Sequence, residues 1–332
     1  MDASVEQVVA RAVAGETPTD EELLPLFDLP THSAEAAHVK WGAEQIARRA
    51  SNNTGVVYSQ IGVDMLPCPM DCGFCTLARR NASADVLAAD VEELIVPIDQ
   101  IVTYARAFDQ ANVHLISLMA TAALPFERYL EIVSAVRDAV QDDQVILANY
   151  GDMTLEQAKR LKSAGADLAY HAHRLGEGEV TRIAPERRLQ TLTNIRDAGL
   201  GVMCGCEPLR EGVPHDLILS RMHEALSFDP YCCGVSGLHA VPGTAMADEV
   251  PLSRIRLQLY GAIMRLLAGD KLPFGCGGLN SPWADAGTNP RGRDLPTDPD
   301  YLRRDVRRLR KELRGREWTV PDRPTYRSKQ LS

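Results

Sequence analysis

A single parallel (β/α) barrel of the TIM type is the fold this chain predicts, and three observations predict it. Short apolar runs alternate with amphipathic stretches of roughly ten to fifteen residues over most of the chain, the cadence of strands and crossover helices. The 332 residues are 45% hydrophobic, enough for one large core. No repeat or low-complexity tract interrupts that cadence. In order, apolar residues at helical spacing predict N-terminal helices near 4–14, 20–27 and 34–50. A strand at 55–61 opens the barrel and leads into a cysteine-bearing loop. A helix follows over 94–110, then a strand at 113–119, a helix at 125–140, a strand at 145–149 and a helix at 154–164. The alternation continues with a strand at 167–170, a helix at 186–198, a strand at 201–206 and a helix at 215–226. It closes with a strand at 231–240, a helix at 252–267 and a strand at 272–275. The organisation expected is therefore an N-terminal helical segment over 1–50, a barrel over 51–278 and a cover over 279–332. The cover opens with LNSPWADAGTNPRGRDLPTDPD, rich in Pro, Gly, Asn and Asp, and reads as irregular chain before a last helix.

Charge and hydropathy exclude two classes of partner. A net charge of −9 argues against a nucleic-acid surface, which wants a basic stripe. The one basic stretch, 301–314, places Leu and Val at helical spacing among its arginines and reads as a solvated helix packed on the barrel. No apolar run reaches the roughly 18 residues of a membrane span, and the opening MDASVEQVVARAVAGE has no basic n-region. A soluble, cytoplasmic protein is expected.

The residues richest in chemistry are Cys68-Pro69-Met70-Asp71-Cys72-Gly73-Phe74-Cys75. Three thiolates on one tight loop suit three irons of a [4Fe-4S] cubane, because thiolate is the ligand such clusters take. No fourth cysteine follows before Cys204, so one iron stays open for a substrate or cosubstrate. Zinc is the first rival, but a structural zinc site wants a second ligand pair within about 12 to 20 residues, and none is there. A disulfide does not suit a reducing cytoplasm. Placement of the loop after the first strand is apt, since barrel enzymes work at the C-terminal ends of their strands.

This loop resembles the cluster motif of radical S-adenosylmethionine (SAM) enzymes, and its surroundings resemble the biotin synthase branch, over roughly residues 15–265. That branch includes hydrogenase-maturation and methylornithine-forming relatives. The resemblance implies a radical SAM barrel, a [4Fe-4S] cluster on Cys68, Cys72 and Cys75, and SAM as cosubstrate. It places Phe74 against the adenine. Within APERRLQTLTNIRDAGLGVMCG, Arg188 matches the arginine that pairs with the SAM carboxylate, a task for a planar fork. On the second strand, Ser117-Leu-Met-Ala-Thr-Ala122 stands where many relatives carry Gly-Gly-Glu, and Thr121 with nearby carbonyls is the candidate for the SAM amino group. At the end of the fourth strand, His171 and His173 are two apart and share a face; turned inward, they would contact substrate and the SAM ribose respectively. Metal ligation by the two is the weaker alternative. The family's asparagine and aspartate are absent there. His239, ahead of Pro242-Gly243-Thr244, and Arg291 in the late loop are further substrate candidates, Arg291 as a carboxylate anchor.

Five cysteines remain: Cys204, Cys206, Cys232, Cys233 and Cys276. In biotin synthase an auxiliary cluster inside the barrel donates sulfur, with one ligand on the fifth strand. The family's ligands on the second and third strands are replaced here by Leu118 and Ala148, so only a rearranged cluster on the fifth, sixth and eighth strands is open to this chain. The bland alternative is that these thiols are small core residues. The leading expectation is sulfur insertion into an unactivated C–H bond of a carboxylate substrate, lipoyl- or biotin-synthase-like. Its alternatives are a radical rearrangement or C–C lyase reaction, and a noncatalytic Fe-S scaffold. Expected partners are a small or carrier-bound substrate, a flavodoxin- or ferredoxin-type reductant, and a second radical SAM protein.

Overall fold

Residues 2–275, 279–288 and 298–323 are described by a computed structural model. The N-terminal helices are α1 (Ala3–Ala14), α2 (Asp20–Leu23) and α3 (Ala34–Ala50). α2 is shorter than the pattern suggests: the chain tightens into a 3₁₀ turn over Leu24–Asp28, because Pro25 has no N–H to continue an α-helix. Then come β1 (Val56–Gly62), the short α4 (Ala84–Ala88), α5 (Ile98–Gln110), β2 (Leu115–Met119), α6 (Phe126–Ala139) and β3 (Val145–Asn149). α5 starts at Ile98 because Pro97 is its N-cap. The series continues with α7 (Leu155–Ser163), β4 (Leu168–Tyr170), α8 (Pro185–Asp197), β5 (Gly201–Leu209), α9 (His215–Leu226), β6 (Cys232–Gly237), α10 (Arg254–Ala268), β7 (Phe274–Gly275), β8 (Trp283–Thr288) and α11 (Pro299–Gly315).

The eight strands form one parallel sheet in the order β7-β6-β5-β4-β3-β2-β1-β8, a nearly closed barrel with the helices outside. β8 lies in the stretch read as irregular cover. It pairs with β1 from Val56↔Trp283 to Ile61↔Thr288. Its sequence, WADAGT, has little β-branched character, so the open edge of β1 imposes the extended conformation.

Alternate residues of each strand divide between two apolar layers. Residues such as Val57, Ile61, Ile116, Leu118, Val202 and Val235 pack outward under the helices. Val56, Tyr58, Leu115, Leu147, Leu168 and Phe274 fill the barrel's lower interior. Burial on both faces is why these strands read as continuous apolar runs rather than alternating ones. α11 adds Leu302, Val306, Leu309 and Leu313 to the outer layer, as its spacing predicts. Its arginines are largely matched at home: Arg303 by Asp300, Arg308 by Asp305 and Glu312, Arg310 by Asp322. No helix among the described residues is long and apolar enough to cross a membrane.

His114, buried just ahead of β2, makes the fold acid-sensitive. Its Nδ1 accepts from the Val57 amide at 2.9 Å and its Nε2 lies 3.0 Å from the Pro321 carbonyl, so the neutral ring is satisfied at both ends. Burial, helped by the charge of Arg310, pushes its pKa down to about 4. An unfolded histidine titrates near 6.5. Between those values the unfolded chain binds the extra proton, so stability falls as pH drops from about 6.5 to about 4, by roughly 3 kcal/mol from this ring. Urea unfolding midpoints at pH 7.5 and pH 5 are expected to show that loss. A flat profile would contradict a buried neutral His114.

Candidate active site at the barrel mouth

The cysteine loop leaves β1 and is fastened on every side. Cys68 N–H donates to the Leu77 carbonyl at 2.7 Å, and Arg79 N–H donates to the Cys68 carbonyl at 2.9 Å, closing the loop on itself. Gly73 N–H donates to the Val180 carbonyl at 2.7 Å, while the Gly73 carbonyl accepts from Met246 N–H at 3.0 Å. The loop therefore spans from the segment after β4 to the segment after β6, over the mouth. A Cβ on Gly73 would stand 3.3 Å from both the Met246 Cγ and the Val180 carbonyl, so glycine is what lets the backbone pass. Two acids do the rest. Asp71, between the first two cysteines, takes a left-handed φ of 48°, accepts from Arg80 N–H at 3.0 Å and pairs with Arg182 at 2.9 Å. Asp64 accepts from Leu66 N–H at 3.0 Å and from the Thr121 amide and hydroxyl at 2.8 and 2.7 Å, tying this loop to the one after β2.

Cys68, Cys72 and Cys75 are half-buried thiols. Burial pushes the Cys72 thiol up to about 11; Cys75 and Cys68 reinforce the shift and Arg174 opposes it. Three thiolates together repel, and a cationic iron centre relieves both costs. Among the described residues no three His, Cys, Asp or Glu side chains converge as ligands of one metal ion. A cubane takes one thiolate per iron, so its ligands need not converge. The donor set and its raised thiol fit a [4Fe-4S] cluster.

Below the loop a polar line runs down the interior. The Tyr170 hydroxyl, at the end of β4, donates to Glu207 on β5. Arg174 Nε donates to the same Glu207 oxygen at 3.0 Å, and its guanidinium stands 5.9 Å from the centre of the Phe74 ring. Burial opposes the charge on Arg174, but Glu207, Tyr170 and Glu177 outweigh it and raise its pKa. Burial, then the Glu207 charge, lifts Tyr170 well above its ordinary value. Gly205 and Gly234, side by side on β5 and β6, contribute no side chain to the interior at this height.

Several expected site residues are elsewhere. His171 and His173 do share a face, but it points away from the interior. His171 Nε2 is 3.0 Å from Asp152, and His173 Nδ1 is 2.7 Å from Glu224 on α9. Tyr170 takes the inward position instead, because side chains alternate along a strand. Burial, opposed by Asp152, lowers His171 to about 4. Arg188 is buried among acids, its Nη1 3.0 Å from Asp152 and its Nε 3.3 Å from Glu177. Thr121 gives both its amide and its hydroxyl to Asp64. Phe74 is half-buried beside the cysteines, and His239 is exposed after β6. Arg291 and Cys276 lie outside the described residues.

Among the described residues the extra thiols do not gather in the barrel interior. Cys204 Sγ contacts the Ala225 carbonyl at 3.4 Å and Cys206 Sγ the Ile218 carbonyl at 3.9 Å, both on α9, so these side chains pack outward under that helix. Cys233 joins them, its Sγ 3.6 Å from that of Cys204, while Cys232, of these four described cysteines, turns inward. The two-residue spacing of Cys204 and Cys206 does put them on one face; it is the outer one. Sequence reasoning missed Asp64, Asp71, Asp152, Arg174 and Glu207. Only Asp71, inside the cysteine motif, carried a local signal.

No protein-family model matches the chain. It is 29% identical over 264 residues to a biotin synthase from a Synechococcus species, covering 75% of each chain. Among solved structures it resembles methylornithine synthase (PylB), with TM-score 0.76 and 16% identity over 95% of this chain and 97% of that one. It also resembles HydG, a maturase of the [FeFe]-hydrogenase, with TM-score 0.68 and 12% identity over 83% of this chain and 63% of that one.

Proposed function

The chain belongs to the radical SAM superfamily, on its biotin synthase-like branch, and from that premise we propose that it rearranges or cleaves the carbon skeleton of a small molecule held inside the barrel. One observation carries the choice: of the four described cysteines outside the loop, only Cys232 faces the interior. Cys68, Cys72 and Cys75 would hold a [4Fe-4S] cluster, which with SAM would supply the one-electron chemistry needed to take hydrogen from an unactivated carbon. The protein's part is positional. Gly73 and Asp71 fix the loop across the mouth, Phe74 shields it, and the apolar floor of Tyr58, Leu147 and Leu168 keeps water from the lower interior. Arg174 presents the remaining N–H groups of its fork toward an anionic group near the loop. A flavodoxin- or ferredoxin-type protein would supply the electron.

Sulfur insertion is the second reading, and the similarity to a biotin synthase favours it. It would need sulfur from a source other than a cluster on Cys204, Cys206 and Cys233. The proposal is checked by incubating anaerobically reconstituted protein with SAM and dithionite. 5′-Deoxyadenosine and methionine are expected in equal amounts from the native chain, and none from Cys72→Ala. A native chain that forms neither would be a cluster scaffold.

A further inference from the structure

The outer face of α11 carries a charge that the rest of the chain does not share. Its 17 residues hold seven basic and three acidic side chains, a net of +4 in a chain of −9, so the remainder carries −13. Leu302, Val306, Leu309 and Leu313 bury one side of the helix in the outer core. Arg304, Arg307, Lys311 and Arg314, all exposed, follow one another at spacings of three, four and three residues away from that side, a stripe roughly 15 Å long. Acids stand back from it: Arg304 is 3.7 Å from Asp298 and Arg314 is 3.8 Å from Asp322, while Arg307 and Lys311 form no ion pair among the described residues. Successive members of the stripe are like charges within one helical turn, which repel and weaken the helix that carries them. The helix is held nonetheless. Asp298 caps its first turn, accepting from Asp300 and Tyr301 N–H at 3.0 and 3.3 Å, and buried Arg310 donates to the Asn112 carbonyl at 2.8 Å ahead of β2. A fixed row of cations that repel one another is stabilised by an anionic partner.

We propose that this stripe docks an acidic α-helix of a partner protein, whose carboxylates at the same three- and four-residue spacing face Arg304, Arg307, Lys311 and Arg314. The proposal does not depend on the radical reading. The reach of charge in solution favours this occupant over an extended polyanion. At physiological ionic strength exposed charges are screened beyond about 8 Å, so a single helix laid on α11 meets the stripe and little else. A nucleic-acid backbone or an anionic bilayer extends past α11 and meets the −13 of the remaining chain as well. A bilayer also wants apolar side chains to insert, and those of α11 face the barrel; Tyr301 is the one large apolar side chain exposed on it among the described residues. α11 packs against α5 and β8 on the outside of the barrel wall, so a docked partner leaves the interior free for substrate.

The test is fluorescence anisotropy of the full chain, at about 150 mM salt, with a labelled helical peptide of about 18 residues bearing glutamates at that spacing, and with its glutamine counterpart. The acidic peptide is expected to bind with a Kd of about 100 μM or tighter, at least about tenfold more tightly than the glutamine peptide, and to weaken about tenfold in about 500 mM salt. Arg307→Glu/Lys311→Glu should abolish that preference with the unfolding midpoint unchanged, and Arg307→Lys should keep it. A single-stranded RNA of about 20 nucleotides and vesicles of phosphatidylserine and phosphatidylcholine are titrated beside the peptides. Either polyanion binding more tightly than the acidic peptide, equal affinity for the two peptides, or an undiminished preference in the charge-reversed variant would overturn the assignment.

Discussion

Protein in which Cys68, Cys72 and Cys75 are all replaced by alanine is expected to hold no iron or acid-labile sulfide after anaerobic reconstitution, and to show no Mössbauer signal of a [4Fe-4S] centre. Single substitutions leave two thiolates and allow partial or rebuilt clusters; the triple variant removes the site. The expectation turns on geometry. Cys204 and Cys206 are buried against carbonyls of α9, and Cys233 is buried beside Cys204. Cys233 is fully buried in the outer layer under the helices, on the side of β6 away from the interior where a substrate would bind. Cys232 cannot hold a cluster alone. Stoichiometric iron left in the triple variant would restore an auxiliary cluster and put sulfur insertion first.

The largest loss of stability from a substitution is expected at Asp152, in the loop after β3. Its carboxylate meets His171 and Arg188 at 3.0 Å and Arg187 at 3.1 Å, and it is almost fully buried. Burial raises its pKa, but the His171 hydrogen bond and the two arginines outweigh that and hold it below the ordinary range. Asp152→Ala removes one of the two acids beside buried Arg188 and the partner of His171, and the loss expected is about 2–3 kcal/mol, below the roughly 3–5 kcal/mol of a buried charge left with no partner, because Glu177 remains. Chemical unfolding of the variant measures the loss, and a double variant Asp152→Ala/Arg188→Leu should recover part of it. A loss below about 1 kcal/mol would mean that water already reaches this network. The same network explains why Arg188 is a positioning residue here: it clamps the segment after β4, through Glu177, to the loop after β3.

Much of the fold was legible because it depends on periodicity. β3 and α9 begin and end where alternation and helical spacing place them, and α3 is bounded by its Ser33 cap, which accepts from Ala36 N–H. The cysteine triad was legible because three ligands of one loop are neighbours in sequence. β8 was not, since its strand character comes from pairing with β1 more than two hundred residues away. Nor was the facing of the thiols: spacing fixes that Cys204 and Cys206 share a side, and only packing decides which side.

By itself, then, the sequence determined a cluster loop after the first strand of a parallel barrel. Both are local statements, written in spacing and in the chemistry of thiolate. The tertiary structure decided what the interior offers a substrate. It turned His171 and His173 outward to Asp152 and Glu224, and brought Tyr170, Glu207 and Arg174 together from two strands and a loop. The physical reason is closure. In a sheet buried on both faces, apolar content no longer marks the inner side of a strand, so only the register and the helices packed outside assign each side chain to its layer.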